Sequence, residues 1–530
     1  MKSITAVAAW LAVVSAGHGQ AIYPGSPDWV STDTQVSTGA ALADLDRDGW
    51  LDLVVANGND ISRQRLVVYY NQGDGTYPAM PDWQSADIAY NGHLDVADVN
   101  GDGWPDVAVA HLGNGGTQEP IARLYLNNSG TLSSLPDWTA DVDGNAFGAA
   151  FGDMNNDGRP DLAVGTGWAY SPQQHYANYV YLNVAGALEA TASWSSDDTY
   201  HYQGLVWVDA NQDGWLDLAA AASGTQSRMY MNLGGTLETT ASWNLTDVTN
   251  QDAIMVTAGD VTGDGRPDLL MADNNQLSSG SGRFRQYDGL PAGSFSQTAN
   301  WTYYEGYCSA VALADVNADG LLDLATGGWW DPTRVFFNQG SGFGASAGWS
   351  SSVTSVVEKI VFGDIDKNGL RTVVEAFPPD GGRRLFHLAQ QPVQCVVGVS
   401  RDGVALLPSE YVCNHEHGWV SVGMAPLLQL ELTYTCSSRL DMAVTNWDSS
   451  KGNYVYYSNL SVPGDANCDG RADEADVALL VLLLVDRDAY DTAYPDCDAD
   501  TFCDLNDDGR LDGLDIQGWV DCFFGDCTDG

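Results

Sequence analysis

The chain has 530 residues, more than one hydrophobic core usually covers, so several domains or a repeated architecture are expected. Its 70 acidic and 22 basic residues give a formal net charge of −48, which disfavours nucleic acid and anionic membrane surfaces as partners. Because the acidic residues are interleaved with apolar runs, the composition favours a folded chain over a disordered acidic tail.

The amino terminus has the pattern of a secretory signal peptide. Lys2 is followed by an apolar run over residues 4–16 and by small residues up to Ala21, a run too short for a transmembrane helix. We therefore assign residues 1–21 to a signal peptide and expect a secreted or cell-surface protein without membrane insertion. Export would place the nine cysteines in an oxidising compartment, where disulfides are expected although the sequence does not show their pairing.

From residue 44 onward an acidic loop recurs seven times, at intervals of about fifty residues. Positions 1, 3 and 5 carry Asp, Asn or Thr, position 6 is Gly, and position 9 is usually Asp. Side-chain oxygens at positions 1, 3, 5 and 9, with the main-chain carbonyl of position 7, can surround a hard cation such as calcium. Acidic turns without a metal are the alternative, but seven copies with one spacing favour calcium sites.

We number these loops 1 to 7 in chain order. The expected ligands, position 7 contributing its carbonyl, are Asp44, Asp46, Asp48, Trp50 and Asp52; Asp98, Asn100, Asp102, Trp104 and Asp106; Asp153, Asn155, Asp157, Arg159 and Asp161; Asp209, Asn211, Asp213, Trp215 and Asp217; Asp260, Thr262, Asp264, Arg266 and Asp268; Asp315, Asn317, Asp319, Leu321 and Asp323; and Asp364, Asp366 and Asn368. Loop 7 has Thr372 in place of the last carboxylate, so we expect it to bind calcium more weakly than loop 1.

Short apolar runs surround each loop in a fixed order. Around loop 1 they cover residues 39–43, 51–56 and 66–71, and turn residues bound them as they bound strands. A Trp precedes the first Asp of every loop by 14 to 17 residues, and large aromatic residues at such a repeated place usually belong to the core between neighbouring units. Four strands per unit of about fifty residues predict an all-β propeller built of four-stranded blades.

After loop 7 the pattern continues. Residues 441–446 resemble a second strand and residues 454–459 a third, which would place a metal-free loop at Thr433, Thr435 and Ser437 of an eighth unit. The run over residues 22–29 is a spare strand that would complete the last blade and hide its edge. We therefore expect a propeller of seven or eight blades over residues 22–460, with eight narrowly favoured.

We also expect a β-rich insertion at about 394–432. It contains Cys413, His415 and His417, whose alternation on a strand permits a transition-metal site as the alternative to a polar turn.

The acidic loops and their flanking strands resemble the FG-GAP or VCBS repeat family, the propeller of integrin alpha subunits and of certain secreted bacterial proteins and fungal lectins. The resemblance covers about residues 21–460. It implies that calcium in the loops braces each blade, while other ligands bind on blade faces or between blades.

The last segment, residues 461–530, has two twelve-residue acidic loops, each followed by an apolar run suited to a helix, over 477–485 and 516–524. Their expected ligands are Asp465, Asn467, Asp469, Arg471, Asp473 and Asp476, and Asp504, Asn506, Asp508, Arg510, Asp512 and Asp515. This duplicated EF-hand-like pattern resembles a type I dockerin domain, which implies a cohesin-type partner. A calcium-stiffened tail without a partner is the alternative.

These features predict an exported calcium-binding propeller that acts in adhesion or carbohydrate recognition and is tethered through its dockerin-like segment. One alternative is a polysaccharide-degrading enzyme of the lyase type, for which His111, His175 and His201 are candidates, although their spacing is not diagnostic. A purely structural cell-surface protein is another alternative. We assign no catalytic residue and no cofactor other than calcium, so an enzyme is the less favoured class.

Overall fold

A computed structural model describes residues 21–114, 119–168, 175–246, 252–276, 281–460, 464–466, 474–494, 503, 510–511 and 513–516. The expected signal peptide, apart from Ala21, and most of the two carboxyl-terminal loops lie outside these residues.

Nearly all of the regular secondary structure in the described chain is antiparallel β-structure. The strands up to residue 363 are β1 (Trp29–Val30), β2 (Ser37–Ala43), β3 (Asp52–Gly58), β4 (Arg63–Tyr69), β5 (Trp83–Gln84), β6 (Asn91–Ala97), β7 (Asp106–His111), β8 (Ala122–Tyr125), β9 (Trp138–Thr139), β10 (Ala146–Gly152), β11 (Asp161–Thr166), β12 (Tyr179–Tyr181), β13 (Trp194–Ser195), β14 (His201–Val208), β15 (Asp217–Ser223), β16 (Arg228–Tyr230), β17 (Trp243–Asn244), β18 (Ala253–Gly259), β19 (Asp268–Asp273), β20 (Gly282–Tyr287), β21 (Gly289–Leu290), β22 (Ser294–Phe295), β23 (Trp301–Glu305), β24 (Tyr307–Ala314), β25 (Asp323–Phe336) and β26 (Trp349–Gly363). Those after it are β27 (Leu370–Phe377), β28 (Leu385–His387), β29 (Cys395–Arg401), β30 (Val404–Ala405), β31 (Tyr411–Asn414), β32 (Trp419–Val422), β33 (Leu430–Ser437), β34 (Asp441–Asn446) and β35 (Tyr454–Tyr456), with a short 3-10 helix at Pro408–Glu410.

The first five units are separate four-stranded sheets, in the orders β2-β3-β4-β5, β6-β7-β8-β9, β10-β11-β12-β13, β14-β15-β16-β17 and β18-β19-β20-β23. In each, an acidic loop joins the first strand to the second. The last two units share one six-stranded sheet, β1-β35-β34-β26-β25-β24, because the long strand β26 pairs with β25 in unit six through its first part and with β34 in unit seven through its last part. The first strands contact one another in the order β2, β6, β10, β14, β18, β24 and the end of β26, which contacts β2 again. The described strands therefore form a closed ring of seven units, as in a β-propeller.

Small residues let these first strands approach one another near the ring axis. A Cβ atom on Gly148 of β10 would lie 2.2 Å from the carbonyl oxygen of Gln203 in β14 of the next unit. Such a contact excludes any side chain at this position. The Gly and Ala content of the first strands thus follows from their position at the centre.

The repeated Trp residues join neighbouring units at the outer strands, as the sequence predicts. The indole Nε1 of Trp194 donates to the carbonyl of Leu237 in the next unit (3.0 Å), and its ring packs edge-on against Tyr230. Indole hydrogen bonds of the same kind are formed by Trp29, Trp138, Trp243, Trp301 and Trp349.

The ring is closed by the amino-terminal strand, as expected, but within the seventh unit. Trp29 of β1 pairs with Val455 of β35, and β34 pairs with the end of β26. The prediction of an eighth unit is therefore wrong: the strands assigned to it belong to the sheet that follows loop 7. Thr433, Thr435 and Ser437 do not form a loop but lie in β33.

The extra chain is an insertion between loop 7 and β34, longer than the predicted 394–432. It forms two sheets, β27-β33-β29-β30 and β28-β32-β31, around its own apolar core. Cys308 in β24 and the insertion cysteines Cys395, Cys413 and Cys436 are free thiols, so the disulfides expected of them are not formed in this structure.

The carboxyl-terminal segment contains two helices among its described residues, α1 (Glu474–Val485) and α2 (Arg487–Ala493). The apolar run 477–485 lies within α1, and the hydroxyl of Tyr490 in α2 donates to the carbonyl of Ala466 (2.6 Å). Neither described helix is long and apolar enough to cross a membrane.

Candidate metal centres

All seven acidic loops share one backbone conformation. Position 4 has a positive φ in every loop, between 51° and 71°, although its residue varies from Gly to Arg47, Asn156 and Lys367. Residues other than Gly are uncommon at such φ values because their Cβ atom crowds the backbone. A conformation kept despite that cost indicates that the rest of the loop imposes it.

The carboxylate at position 1 organises each loop. It accepts a hydrogen bond from the main-chain N–H of position 6 in all seven loops, at 2.6 to 3.0 Å. In loops 1 to 6 the carboxylate at position 5 accepts from the N–H of position 7, at 2.8 to 3.1 Å. These bonds fold the backbone around the side-chain oxygens. They use N–H groups only, so they leave the carbonyl of position 7 available to a cation.

The carboxylate at position 9 is buried and joins the loop to its sheet. Asp106 accepts from the N–H of Val99 (2.9 Å) at position 2 and from the N–H of Asn127 (2.7 Å), just after the third strand. Burial raises the pKa of Asp106 to about 7 and that of Asp217 to about 8. A cation beside these carboxyls would favour their ionised form and offset the cost of burial.

Loop 1 has the donor set of a hard-cation site. One carboxylate oxygen from each of Asp44, Asp46 and Asp48 lies within 4.8 Å of the other two. The Oδ1 atom of Asp44 is buried without a hydrogen-bond partner, which is costly unless a ligand satisfies it. These residues fit a divalent cation such as calcium, with the carbonyl of Trp50 as a further donor.

In loop 7, the ligand at position 9 is a different residue from the one that the sequence spacing predicts. Thr372 is exposed in β27 and does not reach the loop. Asp441, at the start of β34, accepts from Ile365 N (2.7 Å) and Ser458 N (2.8 Å), the same bonds that Asp106 makes in loop 2. The carboxylates of Asp364, Asp366 and Asp441 have oxygens within 4.8 Å of one another. The expectation that loop 7 lacks a carboxylate is therefore wrong, because the insertion separates position 6 from position 9.

A sequence signal for Asp441 existed. Every second strand in the first six units begins with the position 9 Asp, and β34 also begins with Asp. The Oδ1 atom of Asn368, at position 5 of loop 7, is buried without a partner, as is Asp44 Oδ1 in loop 1. Loop 7 thus offers as many carboxylates as loop 2.

An Asn after the third strand links most units to their neighbours, and sequence reasoning missed this role. The Nδ2 atom of Asn127 donates to the carbonyl of Leu45 (2.9 Å), at position 2 of the preceding loop. Equivalent bonds are made by Asn71, Asn183, Asn232 and Asn338. Gly289 and Ser458 occupy this place in units five and seven. In the units that have the Asn, one side-chain amide therefore connects the end of the third strand to the acidic loop of the preceding unit.

The insertion covers part of the loop face. Ser421 Oγ donates to Asp153 Oδ2 (2.7 Å), and Arg384 donates to the carbonyl of Asn156 (2.9 Å) in the same loop. Its tip enters the centre of the ring, where Glu416 pairs with Lys359 (3.1 Å). His417 contacts Thr257 there. The transition-metal alternative is not supported, because none of Cys413, His415 and His417 belongs to a cluster of possible metal ligands among the described residues.

The carboxyl-terminal loops are described only in part. Asp465, Asp476 and Asp515 are buried, and Arg510 is exposed. The expected ligands Asn467, Asp469, Arg471, Asp473, Asp504, Asn506, Asp508 and Asp512 lie outside the described residues, so the structure neither assembles nor separates them.

The opposite face of the ring carries the turns between second and third strands. There Tyr307, Trp329, Trp330 and Trp447 form a group that we call the aromatic corner, with ring centroids 5.3 to 5.9 Å apart in successive contacts. Trp329 is buried and donates to Glu358 Oε1 (2.5 Å), while Trp330 is 63% exposed.

The candidate histidines of the enzyme alternative also lie on this face, and two of them meet. The rings of His175 and His201 are 4.4 Å apart, with Arg228 over the ring of neighbouring Tyr200. His111 lies in another unit, buried beside Arg123. Burial, with the nearby arginines as a smaller cause, lowers the pKa of His111 to about 3, so it is neutral at physiological pH.

The repeats of this ring are shared with known proteins. The sequence profile of the FG-GAP-like repeat matches residues 44–109, 98–164 and 209–271. The chain is 29% identical to integrin alpha-3 of Cricetulus griseus over 146 residues and 31% identical to integrin alpha-7 of Homo sapiens over 143 residues. Each alignment covers 24% of this chain but only 13% and 12% of the respective relative. The chain therefore contains FG-GAP repeats, which here form a propeller.

Two solved structures align with much of the chain at low similarity. The computationally designed Ika8 protein covers 82% of this chain and 99% of its own at 10% identity and a TM-score of 0.39. BBS1N in complex with ARL6DN covers 76% and 98% at 12% identity and a TM-score of 0.41.

Proposed function

We propose that this chain is an exported binding protein in which calcium-loaded FG-GAP loops stabilise a propeller that presents a carbohydrate or cell-surface ligand site. The observation that carries this proposal is the common geometry of the seven loops. Each joins two strands of its sheet, and most are tied to the next unit through an Asn amide. A cation in such a loop would act on the whole ring rather than on one reaction.

The chemistry of the loops supports calcium. Their donors are carboxylate, amide, hydroxyl and carbonyl oxygens, which suit a hard cation. The unpartnered oxygens of Asp44 and Asn368 provide buried lone pairs for it. When bound, calcium would neutralise carboxylates that repel one another; the chain's own residues hold those carboxylates through the main-chain bonds described above.

Calcium titration tests this part of the proposal. We expect metal-depleted protein to unfold at a lower temperature, because every ion bound only to the folded chain adds to its stability. Isothermal titration should give several sites, and magnesium should substitute poorly because it demands a tighter octahedral geometry. Equal unfolding temperatures with and without calcium would refute a stabilising role.

The FG-GAP repeats shared with integrin alpha chains suggest a binding or adhesion-type module. The aromatic corner, whose Trp330 is exposed, lies on the face away from the metal loops and supports this proposal as a candidate ligand site. A glycan array probed in the presence of calcium should return bound saccharides. If the array returns none and the protein instead assembles with itself or with cell surfaces, the structural alternative is supported.

The carboxyl-terminal segment would tether the protein. Residues 461–530 have two acidic loops, and the described helices α1 and α2 contact each other. We propose that this segment binds a cohesin-type domain in a calcium-dependent way. Co-purification with a panel of cohesin domains tests this, with truncation after residue 460 as the control that should lose binding while the propeller keeps its calcium response.

The enzyme alternative has one observation in its favour, the contact between His175 and His201 beside Tyr200 and Arg228. A lyase needs a base and a cationic group near one sugar ring. Release of unsaturated sugars from polyuronates, lost in His201→Ala, would establish it. If no product with the ultraviolet absorbance of an unsaturated uronate forms, binding remains the proposed activity.

A further inference from the structure

The aromatic corner has a bulky residue at a turn where other units have glycine. The residue just after the second strand's pairing with the first strand has a positive φ in units one, three, four and six, where it is Gly58, Gly167, Gly224 and Trp330. Trp330 has a φ of 64°, and it is the only aromatic residue with positive φ in the described part of the chain. A bulky side chain in this region costs free energy, and such strain is concentrated at binding sites. Because the indole is 63% exposed, burial does not repay that cost.

The surrounding strands hold Trp330 in this position. Trp329 pairs with Tyr307 on one side and with Val356 on the other, and Asp331 pairs with Ser355. The buried Glu358 accepts the indole N–H of Trp329. Trp330 therefore projects from a rigid support, with Tyr307 at 76° to its ring and 5.7 Å away.

The polar groups beside these rings suit hydroxyls better than anions. Asp331 is half-buried next to Trp330. A small cavity of about 50 Å³ is lined in part by Trp329 and by the polar groups of Asp60, Glu358 and Gln203. That volume has room for about one or two waters or a hydroxymethyl group. Carboxylates accept hydrogen bonds from hydroxyls, whereas they repel uronates and sulfates.

We propose that the aromatic corner binds a neutral polysaccharide, with the apolar face of one sugar ring on Trp330, an adjacent sugar against Tyr307, and hydroxyls donating to Asp331. Glu358 is a positioning residue that holds Trp329. This inference rests on the carbohydrate-binding part of the proposed function and gives it a site and a ligand class. The net charge of −48 strengthens the preference for neutral over anionic chains.

The test uses the full chain with calcium and soluble probes in affinity electrophoresis. Neutral probes are xyloglucan, galactomannan and mixed-linkage β-glucan, and anionic probes are polygalacturonate and alginate. We expect the parent protein to be retarded by at least one neutral probe and by neither anionic one. Trp330→Gly should weaken that binding by about tenfold or more, as loss of a central aromatic contact does.

The same substitution separates a binding role from a structural one. Since Gly adopts positive φ without strain, Trp330→Gly should unfold at the parent temperature or above it while losing binding. Ala292→Gly relaxes another positive φ, of 67°, on the loop face, where the adjacent Gly293 lies against Asn211 of loop 4, and it should keep full binding. Leu233→Ala, at an apolar residue that is 69% exposed and outside the corner, is the control for loss of an exposed apolar side chain and should also keep full binding.

Three results would overturn the inference. If the parent binds a neutral probe and Trp330→Gly binds it equally, the site is wrong while carbohydrate binding stands. If an anionic probe is preferred, the ligand class is wrong. If the parent binds no saccharide at all, both this site and the carbohydrate-binding part of the proposed function fail, whereas the calcium and cohesin experiments remain independent of that outcome.

Discussion

Replacing Asp441 by Ala should destabilise the ring far more than replacing Thr372, although sequence spacing places Thr372 in loop 7. Asp441 is fully buried and accepts main-chain N–H groups from Ile365 and Ser458. Its removal leaves two buried donors unsatisfied, each costing about 1–3 kcal/mol, so the free energy of unfolding should fall by about 2–6 kcal/mol. Thr372 is exposed in β27, and Thr372→Ala should change stability by less than about 0.5 kcal/mol.

Denaturant unfolding with and without calcium separates the two roles of Asp441. The loss in metal-free protein measures the missing hydrogen bonds. A further loss in calcium measures the missing ligand, about 2.7 kcal/mol if calcium is present at about a hundred times the dissociation constant of that site. Calorimetric titration of Asp441→Ala should also show one calcium site fewer than Thr372→Ala. If both variants unfold like the parent and bind equal numbers of ions, the assignment of Asp441 to loop 7 is refuted.

Other predictions concern the links between units, the buried tryptophans and pH. Asn127→Ala should lower the free energy of unfolding by about 1–3 kcal/mol because the carbonyl of Leu45 loses its donor, whereas Asn128→Ala, at an exposed neighbour, should not; equal effects in urea unfolding would contradict the amide link. Trp194→Ala should cost about 3–5 kcal/mol through loss of a buried indole, and a cost near zero would show that the joint between units is not packed as described. Without calcium, stability should rise as pH falls from about 8 toward about 4, because burial raises the pKa of Asp217 to about 8 from an unfolded value of 3.8 and the folded chain then binds more protons than the unfolded one. Calcium should reduce or reverse that trend in thermal melts, and a metal-free unfolding temperature that falls on acidification would contradict the sign.

Much of the ring could be predicted because its signals are local or periodic. A metal loop is a run of nine residues, so the ligand spacing and the turn at Gly49 are visible in one segment. The Trp position and the spare strand before loop 1 follow from the repeat. The inter-unit hydrogen bonds of Trp194 and the pairing of Trp29 with Val455 agree with those expectations.

The errors have one physical cause, which is the insertion after Gly369. It separates Asp441 from the rest of loop 7 by more than seventy residues. Regular spacing therefore predicts Thr372 at position 9 and assigns the remaining strands to an eighth unit. Backbone pairing decided otherwise, since β34 completes the sheet of β26. The repeat therefore continues through unit seven, but its residues are neighbours in the sheet and are not evenly spaced along the chain.

The sequence by itself determined the repeat, the chemistry of the acidic loops and the closure of the ring by its first strand, because these depend on residues close together or regularly spaced. Only the tertiary structure decided the number of units, the ninth ligand of loop 7 and the aromatic corner. Tyr307, Trp330 and Glu358 come from three strands of one sheet, and nothing in their order along the chain indicates that they meet. Proximity of that kind is created by strand pairing and packing, which act across the fold.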